Sequence, residues 1–366
     1  MNESQEQPTV VALGDGSVVL SGSAADLDAV SEWLVALIEG GHFAARERAK
    51  AGDVLGQLGD PRFDPDRLYF PCRYRGEEEP LSGFVKIPEG PFMMGSQKGD
   101  EEAAPDWFGN PRDMVIPYSY WMARYPVTVA QFRVFLEAGG YDSPDWWSEA
   151  GRVWRSGDWH SPGQDEETVD WLKQRPAPLR NRPMWWDEQH TYSNRPVVGV
   201  SWFESTAYCC WLDAQVKAAG AFPRPDGYVV RLSTEAEWEK AARCADDRRY
   251  PWGNQDWDEE RANIGPSEIG HATAVGMYPR GASPSGIHDL SGNVWEWTYS
   301  LNRPYPYDPR DGRNDQDSGD HRRMRGSSWL FDERCARCSA RGGGPPDHYN
   351  DVVGFRVVIS TASPEL

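Results

Sequence analysis

The sequence predicts an α+β, loop-rich fold with little regular secondary structure, plus a small N-terminal hairpin and helical piece. Three observations predict it. The 366 residues include 36 Gly and 29 Pro, which punctuate turns. They include 18 Trp, whose large rings suit a fold with much irregular backbone to pin down. Three capping boxes mark helices, and beyond Tyr250 short β-like runs alternate with Gly, Pro, Asn and Asp turns up to Val358.

Taken in order, residues 9–21 hold two β-branched runs flanking Gly14-Asp15-Gly16, a hairpin signal. Ser23 then caps a helix with Leu27, Val30, Trp33, Leu34 and Leu37 at helical spacing, closed by Gly40-Gly41. A second helix covers Ala44 to Leu58. This 1–60 piece is too small to bury much alone and is expected to dock on the main domain or on a partner. Residues 61–83 read as a connector rich in Pro, Asp and Arg, and the main domain as 84–361. There Thr128 with Gln131, Ser201 with Glu204, and Thr234 with Glu237 each precede an apolar helical run. Tyr141 to Asn194 is a long polar stretch carrying seven tryptophans, among them Trp147, Trp154, Trp171 and Trp185. Those rings need burial, so it reads as a folded excursion.

A net charge of −19 argues against nucleic acid, whose phosphates call for a basic stripe. No apolar run approaches the roughly 18 residues of a membrane span. The polar N-terminus does not read as a signal peptide, and the six cysteines are not a dense framework, so a cytoplasmic location is expected.

Several runs are specific when taken together. They are Ile87-Pro88-Glu89-Gly90-Pro91-Phe92-Met93-Met94-Gly95-Ser96, Pro196-Val197-Val198-Gly199-Val200-Ser201-Trp202, Arg231-Leu232-Ser233-Thr234-Glu235-Ala236-Glu237-Trp238, Tyr250-Pro251-Trp252-Gly253-Asn254, Gly292-Asn293-Val294-Trp295-Glu296-Trp297, Arg325-Gly326-Ser327-Ser328-Trp329 and Gly354-Phe355-Arg356. In this order and spacing the chain resembles the formylglycine-generating enzyme, or sulfatase-modifying factor, family over about residues 84–360. The resemblance implies an elaborated C-type-lectin-like fold. It also implies a structural calcium in the loop Asp289 to Glu296. There Asp289 and Glu296 would give carboxylate oxygens, and Gly292 and Val294 backbone carbonyls. The alternative is a turn whose carboxylates bond backbone amides.

Family oxidases bind copper through a Cys-x4-Cys pair near the C-terminus, where thiolates suit Cu(I). Here Phe331 stands at the first position and cannot ligate, so copper is not expected. Cys335 and Cys338 form a Cys-x2-Cys pair, kept as the alternative catalytic residues. A second enzymatic branch, with non-haem iron on an N-terminal histidine triad, is set aside because only His42 precedes the main domain.

The C-terminal segment also resembles the variable proteins of diversity-generating retroelements, bacterial binding modules that use this fold. The positions matching their mutable sites are Leu330, Phe331, Asp332, Cys335, Gly342, Gly343, Gly344, His348, Tyr349, Asn350, Asp351 and Val352. The expectation is therefore a non-catalytic module that binds a protein or other macromolecular ligand through residues 330–353. The alternative is an oxidase of the formylglycine-generating type using Cys335 or Cys338.

Overall fold

The computed structural model describes residues 9–12, 18–21, 24–41, 43–96, 114–159, 164–220, 222 and 224–362. Near the N-terminus Thr9–Ala12 pairs antiparallel with Val18–Ser21, and the turn at Gly14-Asp15-Gly16 lies outside the described residues. Helices α1 (Ala24–Gly40) and α2 (Ala45–Leu58) follow and share an apolar seam of Leu34, Ile38, Ala49 and Leu55. That seam continues onto Met277 and Tyr278 of the main body.

Polar contacts fix the docking. Arg48, fully buried, donates to the Met277 carbonyl at 3.1 Å and pairs with Glu260 at 2.5 Å. Asn194 donates to the Gly52 carbonyl at 3.1 Å. Gly52 is required by this approach, because a Cβ there would lie 2.7 Å from the Ala274 Cβ. Gly52→Val is expected to lose about 1–3 kcal/mol by overpacking. A chemical denaturation midpoint equal to that of the parent would show that α2 docks loosely.

Two four-stranded sheets form the body. The first runs Tyr228–Leu232, Val357–Thr361, Tyr120–Ala123, Phe84–Ile87, antiparallel throughout. The second runs Gly342–Gly344, Arg322–Arg325, Trp295–Leu301, Val353–Phe355, the last pairing parallel. One continuous stretch, residues 353–361, thus serves both sheets, with Arg356 at the crossing.

Helix α3 (Val129–Glu137) opens the helical side. The excursion after it folds into α4 (Glu149–Ser156), α5 (Glu166–Lys173) and α6 (Trp186–Gln189). Then come α7 (Trp202–Ala219) and α8 (Glu235–Arg243). The capping boxes of α3, α7 and α8 form as their sequences require. Trp147 and Trp154 are buried and stack at 6.2 Å, which folds the excursion against α7. Phe132, Tyr208, Trp211, Trp297 and Phe355 centre the main core. Among the described residues no helix is long and apolar enough to cross a membrane.

Candidate functional site

The site begins with a cap. Glu204 occupies the third position of α7 and accepts from the Ser201 amide at 2.7 Å. The same buried carboxylate takes Arg175 at 2.5 Å and 2.8 Å, and also the Tyr141 hydroxyl. A buried ion pair held this way fixes geometry, because breaking it strands a charge. It anchors the chain just beyond α5 to the start of α7.

From that anchor α5 runs beside the C-terminal segment. Asp165 caps it by accepting the Thr168 amide at 2.7 Å. Trp171 and Tyr349 then hold each other. Their rings stack at 5.4 Å, the Trp171 indole donates to the Tyr349 carbonyl at 3.1 Å, and the Tyr349 hydroxyl donates to the Trp171 carbonyl at 3.0 Å. Trp185 packs against both rings. Tyr349 turns inward, and its neighbours His348 and Asn350 face an open cleft of about 510 Å³ whose far wall is Glu167, Thr168, Asp170, Trp171 and Gln174. On the other side of α5 lies a second cleft of about 410 Å³, lined by Trp159, Val169, Leu172, Pro176 and Arg180, with Asp347 at its edge.

Burial, with His321 nearby, pushes the His348 imidazole down to about 4. At neutral pH it is uncharged and offers one donor and one acceptor. The Gln164 amide meets the His321 ring at 2.7 Å. The surface continues from His348 along the glycine strand. A Cβ on Gly344 would touch His348, and one on Gly342 would sit 3.3 Å from the Trp295 ring. Phe331 packs edge-on against Trp295 at 5.7 Å. It is 38% exposed, and Leu330 is 58% exposed.

Of the predicted contacts, Leu330, Phe331, Gly343 and Asp351 are exposed and Gly342, His348 and Asn350 half-buried, with Phe331 and Gly342 sharing the Trp295 ring. Four of the predicted contact positions face inward or are covered. Tyr349 is buried because it clasps Trp171, and Val352 is buried in the main core. Gly344 is covered by His348, and Cys335 packs half-buried against the core. Asp332 is tied to Arg334 at 3.0 Å. The far wall on α5 was not read from sequence. Its available signal was Asp165 followed by Glu166 and Glu167, a cap with acidic residues in the first turn.

The predicted metal and redox groups fare differently. Burial pushes the Cys335 thiol up to about 11 and the Cys338 thiol up to about 12. Cys338 is sealed from solvent. Neither is a ready thiolate in the metal-free protein. Glu296 gives both oxygens to Arg356, at 2.6 Å and 3.0 Å, and accepts the Trp238 indole at 2.8 Å. It is an arginine partner, so within the Asp289, Gly292, Val294 and Glu296 set this carboxylate has both oxygens engaged by Arg356. Asp289 accepts only the Gly276 amide among the bonds described for its side chain, at 2.8 Å. Among the described residues no three or more His, Cys, Asp or Glu gather to hold a metal.

Residues 73–361 match the sulfatase-modifying factor enzyme 1-like domain of the FGE-sulfatase family. The chain is 33% identical over 300 residues to a hercynine oxygenase of Mycolicibacterium smegmatis, covering 75% of this chain and 60% of that protein. It is 28% identical over 348 residues to a formylglycine-generating enzyme of Thermomonospora curvata, covering 81% and 98%. Among solved structures, PvdO from Pseudomonas aeruginosa aligns with a TM-score of 0.53 at 22% identity, over 76% of this chain and 94% of that one. Treponema denticola variable protein 1 aligns at 0.50 and 16% identity, over 75% and 94%. These two show the shared fold. The chain spans 60% of the length of the hercynine oxygenase it matches. The relatives overturn the expectation of a non-catalytic module. An oxygenase and a formylglycine-generating enzyme share sequence with most of the chain, and phenylalanine at position 331 does not outweigh that kinship.

Proposed function

The chain belongs to the sulfatase-modifying factor enzyme 1-like family, and we propose that it is the substrate-engaging part of an oxidising enzyme, holding its substrate between α5 and residues 347–350. The cleft carries this reading. Its His348 is neutral, Asn350 supplies an amide donor and acceptor, and Trp171 gives an apolar wall. Such a lining orients a polar substrate without adding a cation. The exposed Leu330 and Phe331, joined to the cleft through Trp295 and the glycine strand, favour a peptide or protein as that substrate.

The test is a thermal-shift screen with two probe classes, hercynine and cysteine-bearing peptides, on the chain and on Asn350→Arg. One class is expected to raise the Tm of the parent. The arginine, which fills the cleft, is expected to weaken binding at least about tenfold, or about 1.4 kcal/mol. A probe that stabilises both proteins equally places the site elsewhere and sinks the reading, as does the absence of any shift.

A further inference from the structure

Helix α5 is attached in an unusual way. None of its eight residues is buried. It is amphipathic, yet among the described residues none of its side chains joins a buried core cluster. Glu167, Asp170 and Trp171 look into one cleft, and Val169 and Leu172 into the other. A helix this short is marginal without tertiary packing. Its internal ion pair, Asp170 with Lys173 at 2.9 Å, is exposed and holds little.

What holds α5 is local. Beyond its C-terminus Arg175 is locked to Glu204. In its middle the Trp171–Tyr349 clasp contributes one stack and two hydrogen bonds. The Tyr349 half of the clasp is fixed. Its ring touches Trp185 and lies under the Arg175 guanidinium at 5.4 Å, and the adjacent Asn350 carbonyl accepts the Gly199 amide at 3.0 Å. The Trp171 half rides on an unburied helix, and beyond the clasp its ring also meets Trp185 at 6.4 Å.

We propose that α5 is a hinged wall. It swings about the Arg175 anchor when Trp171 parts from Tyr349, and the two clefts then join into one larger site. Tyr349 lies between His348 and Asn350, so the clasp sets the shape of the very surface that meets the substrate. The gating role rests on the cleft being the substrate site, whereas the motion itself does not.

Hydrogen exchange on the full chain tests the motion. Trp171→Phe removes the indole donor and keeps a ring, and Tyr349→Phe removes only the hydroxyl. Both are expected to speed exchange of the α5 amides at least about tenfold while the amides of α7 keep the parent rate, since local opening is governed by the few contacts that close it. In a second arm Leu172→Cys, on the inner face of the wall, is expected to react faster with a fluorescein maleimide when Tyr349→Phe is added. Unchanged α5 exchange overturns the proposal. So does a parallel rise in α7, which would make the clasp ordinary core. Fast α5 exchange in a chain that binds neither probe class keeps the hinged wall and discards the substrate reading.

Discussion

Replacing Arg356 with methionine is expected to cost the fold about 3–5 kcal/mol, because it strands a buried carboxylate. The guanidinium is 1% exposed and spends every donor. It meets Glu296 through Nε and Nη2, the Ala123 and Arg124 carbonyls at 2.9 Å through Nη1, and the His288 carbonyl at 2.7 Å. Arg356 stands where the chain leaves one sheet for the other, so this group ties both sheets at a point where the strands cannot pair. Methionine fills part of the volume and satisfies none of the acceptors. Domains commonly hold only about 5–15 kcal/mol of stability, so the variant approaches unfolding. Urea denaturation of Arg356→Met, Glu296→Gln and the double variant measures the pair. The double variant is expected to recover part of the loss, since neither charge is then left alone. A single-variant loss under about 1 kcal/mol would show that solvent reaches the pair.

That arginine also marks the boundary of what the sequence reveals. The three helix starts were legible because a capping box spans four residues and contains its own chemistry. Glu204 was legible as a cap. Its bonds to Tyr141 and Arg175 were not, because those partners lie 63 and 29 residues away. The apolar pair Leu330-Phe331 and the glycine run are local features, and the pair and Gly343 reach the surface. Tyr349 and Val352 sit on the same segment and turn inward, because loops without a fixed period give no rule for facing. The opposing wall on α5 escaped because eight residues are too short a window for periodicity to identify a helix. On function, Phe331 is one position among many. One ligand position is a sharp but narrow signal, whereas similarity to enzymes runs through most of the chain.

Asp289→Asn is expected to stabilise the protein at neutral pH, an unusual sign for a buried carboxylate inside an arginine-rich fold. Burial pushes its carboxyl up to about 6, with Glu296 adding repulsion and with the Gly276 amide, Arg356 and Arg62 acting against the rise. The ordinary value is 3.8. Between these values the folded chain holds a proton that the unfolded chain has lost. Stability therefore falls as pH climbs from about 4 to about 6, and the full penalty, about 3 kcal/mol, persists above that window. Below it both states are protonated and the penalty is gone. Asparagine keeps an oxygen for the Gly276 amide and never ionises. The variant should therefore gain up to about 3 kcal/mol at pH 7 and converge with the parent near pH 4. Urea midpoints across that range, taken in chelator, decide it, and a constant difference at every pH would refute the charge argument. The same pair addresses calcium. A cation on the Asp289 carboxylate would reverse the order, so that added calcium stabilises the parent and leaves the asparagine variant unmoved. With Glu296 committed to Arg356, we expect calcium to leave both midpoints where the chelator put them.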